Sequence, residues 1–328
     1  MKSRLIFTSL LALSLAACTD GNDPMTPADG EVAAQIVADI NHVATRASGD
    51  AWTADDRIGI STVPGTKTSY ANIPYTWDGT RFNDDDITIY FQSPDEVTFN
   101  AYYPFTGTVG TSAGIITATT DAEAQKDLPA IDFLFAQGAK ADKTNPTVEF
   151  TDKSKNNGED NSFHHRMSMI AIKFTEGNDM AFAGGKLQSY TLKGLVLEGT
   201  FNTENGEAKA TDGEQAEDLT IQSENVSVDD KVFAAAPVIL FPQTARWTWD
   251  ESPATAGKIG LEVTVEGIPY KATLTLPDAD KDGQADTELK PGCRYTFPVT
   301  VKKTGLSVGT AEITDWDSIT GSGTEATM

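Results

Sequence analysis

Beyond residue 50, apolar and polar residues alternate with a period of two, and this alternation constrains the fold more than any other feature of the chain. Val97, Phe99, Ala101 and Tyr103 share one face of a predicted strand that Pro104 ends. No long segment after residue 50 has a helical period. Many short strands separated by turn residues predict an all-β fold built from β-sandwiches.

The clearest predicted supersecondary element is a β-hairpin between residues 259 and 276. Alternate apolar residues from Ile259 to Val265 form one face, Glu266-Gly267 forms a two-residue turn, and the face returns from Ile268 to Leu276. Two further strands are predicted at residues 295–301 and 165–174. The second is apolar on both faces and is therefore expected deep in a sandwich.

A polar run at residues 151–161 is the best linker candidate. We place the domain boundary near Gly158, which gives an N-terminal sandwich (51–158) and a C-terminal sandwich (159–328) in tandem. The chain carries 25 basic and 48 acidic residues, a net charge of -23. This charge repels nucleic acid and anionic lipid, so neither is expected as a partner.

The first 17 residues have the pattern of a lipoprotein signal peptide. Lys2 and Arg4 precede an apolar run from Leu5 to Ala17, and small residues stand directly before Cys18. Thirteen helical residues span only about 20 Å, less than the roughly 30 Å of bilayer hydrocarbon, so the anchor is expected to be lipid on Cys18. The alternative is an ordinary cleaved signal peptide with an incidental cysteine.

Residues 18–50 read as a solvated tether followed by a separable segment. Arg46 is the only basic residue between Thr19 and Asp56, and its neighbours are small and polar. A trypsin-like protease would therefore cut between Arg46 and Ala47.

The sequence predicts no catalytic residue, because it lacks the common nucleophile, zinc and phosphate-binding motifs. With Cys18 committed to lipid, Cys293 is expected to be a small buried hydrophobic residue. His164 and His165 are adjacent, so on a strand they point to opposite faces, and one is expected to be a packed core residue.

An acidic loop between residues 278 and 288 has oxygen ligands at the spacing of a calcium loop, with Gly283 at the sharp turn. The candidate calcium ligands are Asp278, Asp280, Asp282, Gln284, Asp286 and Glu288. Glu288 stands one place early for the bidentate ligand. The alternative is an acidic connection between strands without a metal.

Several short stretches together resemble the fimbrillins of Bacteroidetes type V pili, in particular the fimbrillin-like lipoproteins. They are WTADDRIGI (52–60), AYYP (101–104), DFLFA (132–136), FHHRMS (163–168), LFPQ (240–243), PG (291–292) with YTF (295–297), and ITDW (313–316). Each is a strand fragment or a turn, and the set runs along nearly the whole mature chain.

The resemblance implies two transthyretin-like, Greek-key β-sandwiches, delivery to the outer membrane as a surface lipoprotein, and incorporation into a pilus after processing. It also implies that a protease cuts at Arg46 and removes the strand at residues 31–45. A donor strand from another pilus subunit, of the same or a related fimbrillin, then fills the opened groove. The donor of this chain would lie within residues 311–328.

The segment to be removed has an ambivalent pattern. Val32, Ala34, Ile36, Ala38 and Ile40 alternate as in a strand, but spacings of four and three at positions 32, 36, 40 and 43 also suit an amphipathic helix. Alanine favours the helix. We expect a strand because of the resemblance.

An alternative function is a monomeric surface lipoprotein that binds glycan or another ligand. The stacking platforms would be exposed aromatics among Trp52, Trp77, Trp247, Trp249 and Trp316. For Trp247 and Trp249, a core stripe is the favoured interpretation.

Overall fold

The computed structural model of the 328-residue chain consists almost entirely of β-strands and turns. It describes residues 31–40, 51–152, 158–178, 187–222, 228–229, 232–249, 253–278 and 284–316. Within these residues, neither of the two short helices has the length or the apolar sequence that a membrane span requires.

The first part of the described chain contains most of one sandwich. Its strands are β1 (Val32–Ala33), β2 (Gln35–Ala38), β3 (Arg57–Thr62), β4 (Ile73–Trp77), β5 (Phe82–Asp84), β6 (Tyr90–Phe91), β7 (Val97–Tyr103), β8 (Ile115–Thr119), β9 (Leu134–Ala141) and β10 (Thr147–Phe150). A 3-10 helix (Ala124–Lys126) and α1 (Leu128–Ile131) precede β9.

The strands of the second part continue the numbering. They are β11 (His164–His165), β12 (Ser168–Glu176), β13 (Leu187–Leu195), β14 (Glu198–Asn202), β15 (Ala208–Ala210), β16 (Glu217–Gln222), β17 (Val228–Asp229), β18 (Val232–Ala234), β19 (Val238–Leu240), β20 (Gln243–Thr244), β21 (Arg246–Trp247), β22 (Thr255–Ala256), β23 (Lys258–Val265), β24 (Ile268–Thr275), β25 (Glu288–Leu289), β26 (Cys293–Lys302), β27 (Gly305–Val308) and β28 (Glu312–Asp315).

The first sandwich is built on an antiparallel sheet with the order β11-β9-β7-β3-β4-β5. Its side chains share one apolar core with those of β2, β6 and β10, which form the other wall. The alternation predicted for β7 is confirmed, since Val97, Phe99 and Ala101 are at most 1% exposed. Tyr102 points the other way, into a separate cluster.

The second sandwich has a mixed sheet on one side, in which β12 and β26 pair in parallel from Met169–Arg294 to Glu176–Val301. The sheet β16-β13-β23-β24 faces it across a common core. The prediction of a strand buried on both faces is confirmed for β12, in which residues 168–172 are all buried. That strand starts at Ser168 rather than at His165, because His165 pairs with Leu134 in the first sheet.

The predicted hairpin is confirmed as β23 and β24, with Val265 opposite Ile268. Glu266 (φ 51°) and Gly267 (φ 80°) both adopt left-handed conformations, as a type I′ turn requires. The returning face is buried only toward its end: Leu274 is fully buried, whereas Ile268 is 55% exposed. The reason is that β24 is the last strand of its sheet and Ile268 lies next to the turn.

A third apolar cluster joins the two sandwiches beneath the small sheet β15-β14-β8. Strand β8 comes from the first part of the chain and pairs with β14 of the second, with Ile116 opposite Phe201. The rings of Phe133 and Phe201 stack at a centroid distance of 4.7 Å. The all-β sandwich prediction is therefore confirmed, whereas the domain boundary near Gly158 stays a prediction.

The junction cluster yields a stability prediction. Phe201→Ala removes a fully buried ring from it and should lower the free energy of unfolding by about 3–5 kcal/mol. The control is Ile115→Ala, since Ile115 lies next to Ile116 in β8 but is 66% exposed and should change stability by no more than about 0.5 kcal/mol. Urea denaturation of both variants checks this, and equal losses would contradict a packed junction.

Candidate functional site

The N-terminal strand segment at residues 32–40 lies between β6 and β10 and hydrogen-bonds to each in turn. Its first part is antiparallel to β6: Val32 pairs with Phe91, and Ala34 N donates to Ile89 O at 2.8 Å. Its second part is parallel to β10, with Ile36 opposite Val148 and Ala38 opposite Phe150. A segment that bonds to a different neighbour on each side fills a gap between them, and we call this gap the groove.

The prediction of a strand rather than a helix is confirmed for residues 32–38. Ala34, Ile36, Ala38 and Ile40 are only 5–7% exposed, whereas Val37 between them is 44% exposed. This two-residue period buries the alanines together with the isoleucines, which a helix with the spacing 32, 36, 40 would not do. Burial and strand pairing here outweigh the helix propensity of alanine.

Aromatic side chains surround the end of the segment. The Trp52 ring makes edge-on contacts with Phe82, Tyr103 and Phe163 at centroid distances of 5.1, 5.6 and 5.1 Å. Its Nε1 donates to Ala38 O at 2.9 Å, and Phe163 N donates to Asp39 O at 2.9 Å. Trp52 thus holds the segment by both packing and a hydrogen bond.

Two buried tyrosines stabilise the walls of the groove. Tyr75 Oη accepts a hydrogen bond from Ile89 N at 3.2 Å, and burial raises the pKa of Tyr75 to about 12. Tyr103 donates to Asp56 Oδ1 at 2.9 Å, and burial, reinforced by the charge of Asp56, raises its pKa. Both phenols therefore stay neutral near pH 7, so they keep their protons and their hydrogen bonds.

A cavity of about 120 Å³ adjoins Ile40 at the end of the segment. Its apolar walls include Trp52, Leu128, Pro129 and Leu134. Two carboxylates, Asp56 and Asp132, also line it.

Asp132 is held by a histidine at the junction of the two sandwiches. His165 Nδ1 lies 2.8 Å from Asp132 Oδ1, and the imidazole stacks on Trp316 at a centroid distance of 4.1 Å. His165 is 3% exposed, which confirms that one of the two adjacent histidines is a packed core residue. His164 is half-buried, with Nε2 3.4 Å from Asp160 Oδ1.

The predicted processing residues lie outside the described part of the chain. Cys18, Arg46 and Ala47 belong to residues 1–30 and 41–50, so lipidation and cleavage stay predictions. Cys293 is half-buried beside the second core rather than fully buried, because it is the first residue of β26.

The structure describes only part of the predicted calcium loop. Asp280 and Asp282 lie outside the described residues, while Asp286 Oδ2 is 3.1 Å from Lys290 Nζ. Among the described residues, no three His, Cys, Asp or Glu side chains are close enough together to hold a metal ion. Calcium binding by Asp278, Gln284, Asp286 and Glu288 with the two other carboxylates stays a prediction.

The tryptophans proposed as stacking platforms are all half-buried or buried, so the expectation of exposed platforms is wrong. Trp316 is 7% exposed, and the Trp77 ring contacts Phe82. The Trp247 ring lies so close to the backbone of Gly260 that a Cβ there would be 2.4 Å from Nε1. The favoured interpretation of Trp247 as a packed residue is therefore confirmed.

Sequence reasoning missed the partners of the N-terminal segment. Ile89 O, Phe150 and the Trp52 indole bind it, although they are 49, 110 and 12 residues from Ile40 in sequence (89 − 40, 150 − 40, 52 − 40). The one usable signal was the motif that begins at Trp52.

Comparisons with known proteins identify relatives of the whole fold. A family model described as fimbrillin-like matches residues 45–316. A solved structure of a candidate cell adhesion protein from Bacteroides ovatus is 29% identical, with 87% of this chain and 96% of that chain covered and a TM-score of 0.63. One from Bacteroides uniformis is 22% identical, with 89% and 100% covered and a TM-score of 0.62. No curated protein matches the chain.

The alternating burial of the segment predicts the effect of two neighbouring substitutions. Ile36→Ala removes a side chain that is 5% exposed and should lower the free energy of unfolding by about 2–4 kcal/mol. Val37→Ala, one residue along on the exposed face, should cost less than about 1 kcal/mol. Chemical denaturation measures both, and a larger loss for Val37→Ala would be incompatible with this register.

Proposed function

The chain belongs to the fimbrillin-like family, as its motifs predict, and on this premise we propose that it is a subunit of a type V pilus that polymerises by donor-strand exchange. The chain is exported as a lipoprotein, anchored to the outer membrane by lipid on Cys18, and cut after Arg46 by a trypsin-like protease. The released subunit joins other fimbrillins at the cell surface, where the pilus serves adhesion. The family and the related structures support a pilus subunit or an adhesin as the general role.

The observation that carries this proposal is the position of the N-terminal segment. It completes the first core, yet only residues 41–50 connect its end at Ile40 to the start of the sandwich at Ala51, and Arg46 lies within that connection. A single cut there separates the segment from the rest of the chain.

Loss of the segment would leave both apolar surface and main-chain groups without partners. Burial of each isoleucine contributes about 1.5–3 kcal/mol, and the alanines add less. The edges of β6 and β10 that now bond to residues 32–38 would also lose their hydrogen bonds. An added strand restores both at once, which is the general basis of β-strand addition.

The test is limited trypsin digestion of the purified chain, followed by N-terminal sequencing and native size analysis. We expect a product that begins at Ala47 and then forms a ladder of oligomers. Arg46→Ala should stay uncut at this position and monomeric. Lys67→Ala removes an exposed basic residue elsewhere and should behave like the unmodified chain.

A folded Ala47 product that stays strictly monomeric would remove the mechanism of the pilus proposal. It would favour the monomeric, ligand-binding surface lipoprotein instead. Earlier cleavage at another site would equally contradict Arg46 as the processing position.

A further inference from the structure

The groove has a size pattern that specifies its partner. We propose that it selects a strand whose alternate side chains are small, isoleucine-sized, small and larger than isoleucine, and that a different chain rather than a second copy supplies this strand. The inference rests on the proposed function, because it assumes that the groove is refilled after cleavage.

The two small positions follow from the surroundings of the alanines. Ala38 is 5% exposed, its carbonyl accepts the Trp52 indole hydrogen bond, and Trp52 is itself packed against Phe163. Ala34 is 7% exposed and bonds to Ile89, which is fully buried. A larger side chain at either position has no route to solvent and must displace packed neighbours.

The fourth position differs because Ile40 does not fill its site. The cavity of about 120 Å³ adjoins this side chain, and the apolar walls described above face it. The two carboxylates in the wall are engaged, Asp56 by Tyr103 Oη at 2.9 Å and Asp132 by His165 Nδ1 at 2.8 Å. A phenylalanine or methionine at this position gains contacts that Ile40 lacks, so a matching donor strand binds better than the resident segment.

The C-terminal segment of this chain does not have the pattern. Three registers place an isoleucine in one of the two larger sites: Ala311/Ile313/Asp315/Asp317, Ser307/Gly309/Ala311/Ile313 and Asp317/Ile319/Gly321/Gly323. The first and third put a carboxylate into an apolar groove, which is costly without a buried partner. The second puts glycine where Ile36 lies, which leaves a cavity.

Peptide competition on the chain cut after Arg46 tests the pattern. A fluorescent peptide of residues 31–41 (EVAAQIVADIN) reports occupancy, and three unlabelled peptides compete with it. The first has isoleucine and alanine exchanged at positions 34, 36, 38 and 40, which keeps the composition. The second has Phe in place of Ile40, and the third is the tail, residues 307–323.

We expect the exchanged peptide to compete at least 30-fold more weakly than the unmodified one and the tail at least tenfold more weakly. The peptide with Phe should compete at least threefold better. Equal competition by the exchanged peptide or the tail would overturn the inference and leave the proposed function intact, as would weaker competition by the Phe peptide. Failure of every peptide, including the unmodified one, would count against the proposed function itself.

Thermal melting of the uncut chain gives a measurement that needs no exchange. The quadruple variant Ala34→Ile, Ile36→Ala, Ala38→Ile, Ile40→Ala should melt several degrees lower, whereas Ile40→Phe should melt at the same temperature or higher. An unchanged melting temperature for the quadruple variant, or a lower one for Ile40→Phe, would contradict the size pattern.

Discussion

Burial of alternate side chains from one short segment among aromatic rings is the interaction on which the first sandwich depends. Residues 34–40 supply the last apolar side chains of that core and the hydrogen-bonding partners of both β6 and β10. Neither of those two strands pairs with the six-stranded sheet within the described chain. The segment is thus the element that ties this wall of the sandwich together, although it lies at the edge of the chain in sequence.

The junction between the sandwiches has the opposite character, because it is built from elements that no single cut removes. Strand β8 pairs with β14 across the linker, and His165 of the first sheet stacks on Trp316 of the last described strand. Aromatic stacking of Phe133 on Phe201 fills the space between them. The family fold therefore combines one separable strand with a firmly packed remainder, which suits a subunit that has to exchange a strand without unfolding.

The extent to which the sequence predicts this fold depends on how local each interaction is. The β23–β24 hairpin was predictable because its turn residues and both faces lie within 18 residues. The parallel pairing of Ile170 with Tyr295 joins positions 125 residues apart (295 − 170), and no local pattern encodes it. His165 was assigned to the wrong strand for the same reason: its partner Leu134 is distant, and its own sequence continues smoothly into β12.

The candidate site was predictable in its residues but not in its contacts. Alternation and helical spacing coexist in residues 32–43, so local physics left the segment undecided, and the neighbours that decide it come from three other parts of the chain. The exposure of the tryptophans was misjudged because indole burial depends on tertiary packing, such as that of Trp247 on Gly260.

The stack of His165 on Trp316 also determines where mechanical load enters the molecule. A pull on the chain beyond Trp316 acts first on that indole, on its imidazole partner in the first sheet, and on the hydrogen bond from Trp316 N to Gly292 O. Because Asp132 holds the imidazole and lies in the cavity wall beside Ile40, the force passes from the tail to the groove through a few short contacts. The second sandwich stands beside this line of tension, so its strands can vary in sequence without weakening a fibre.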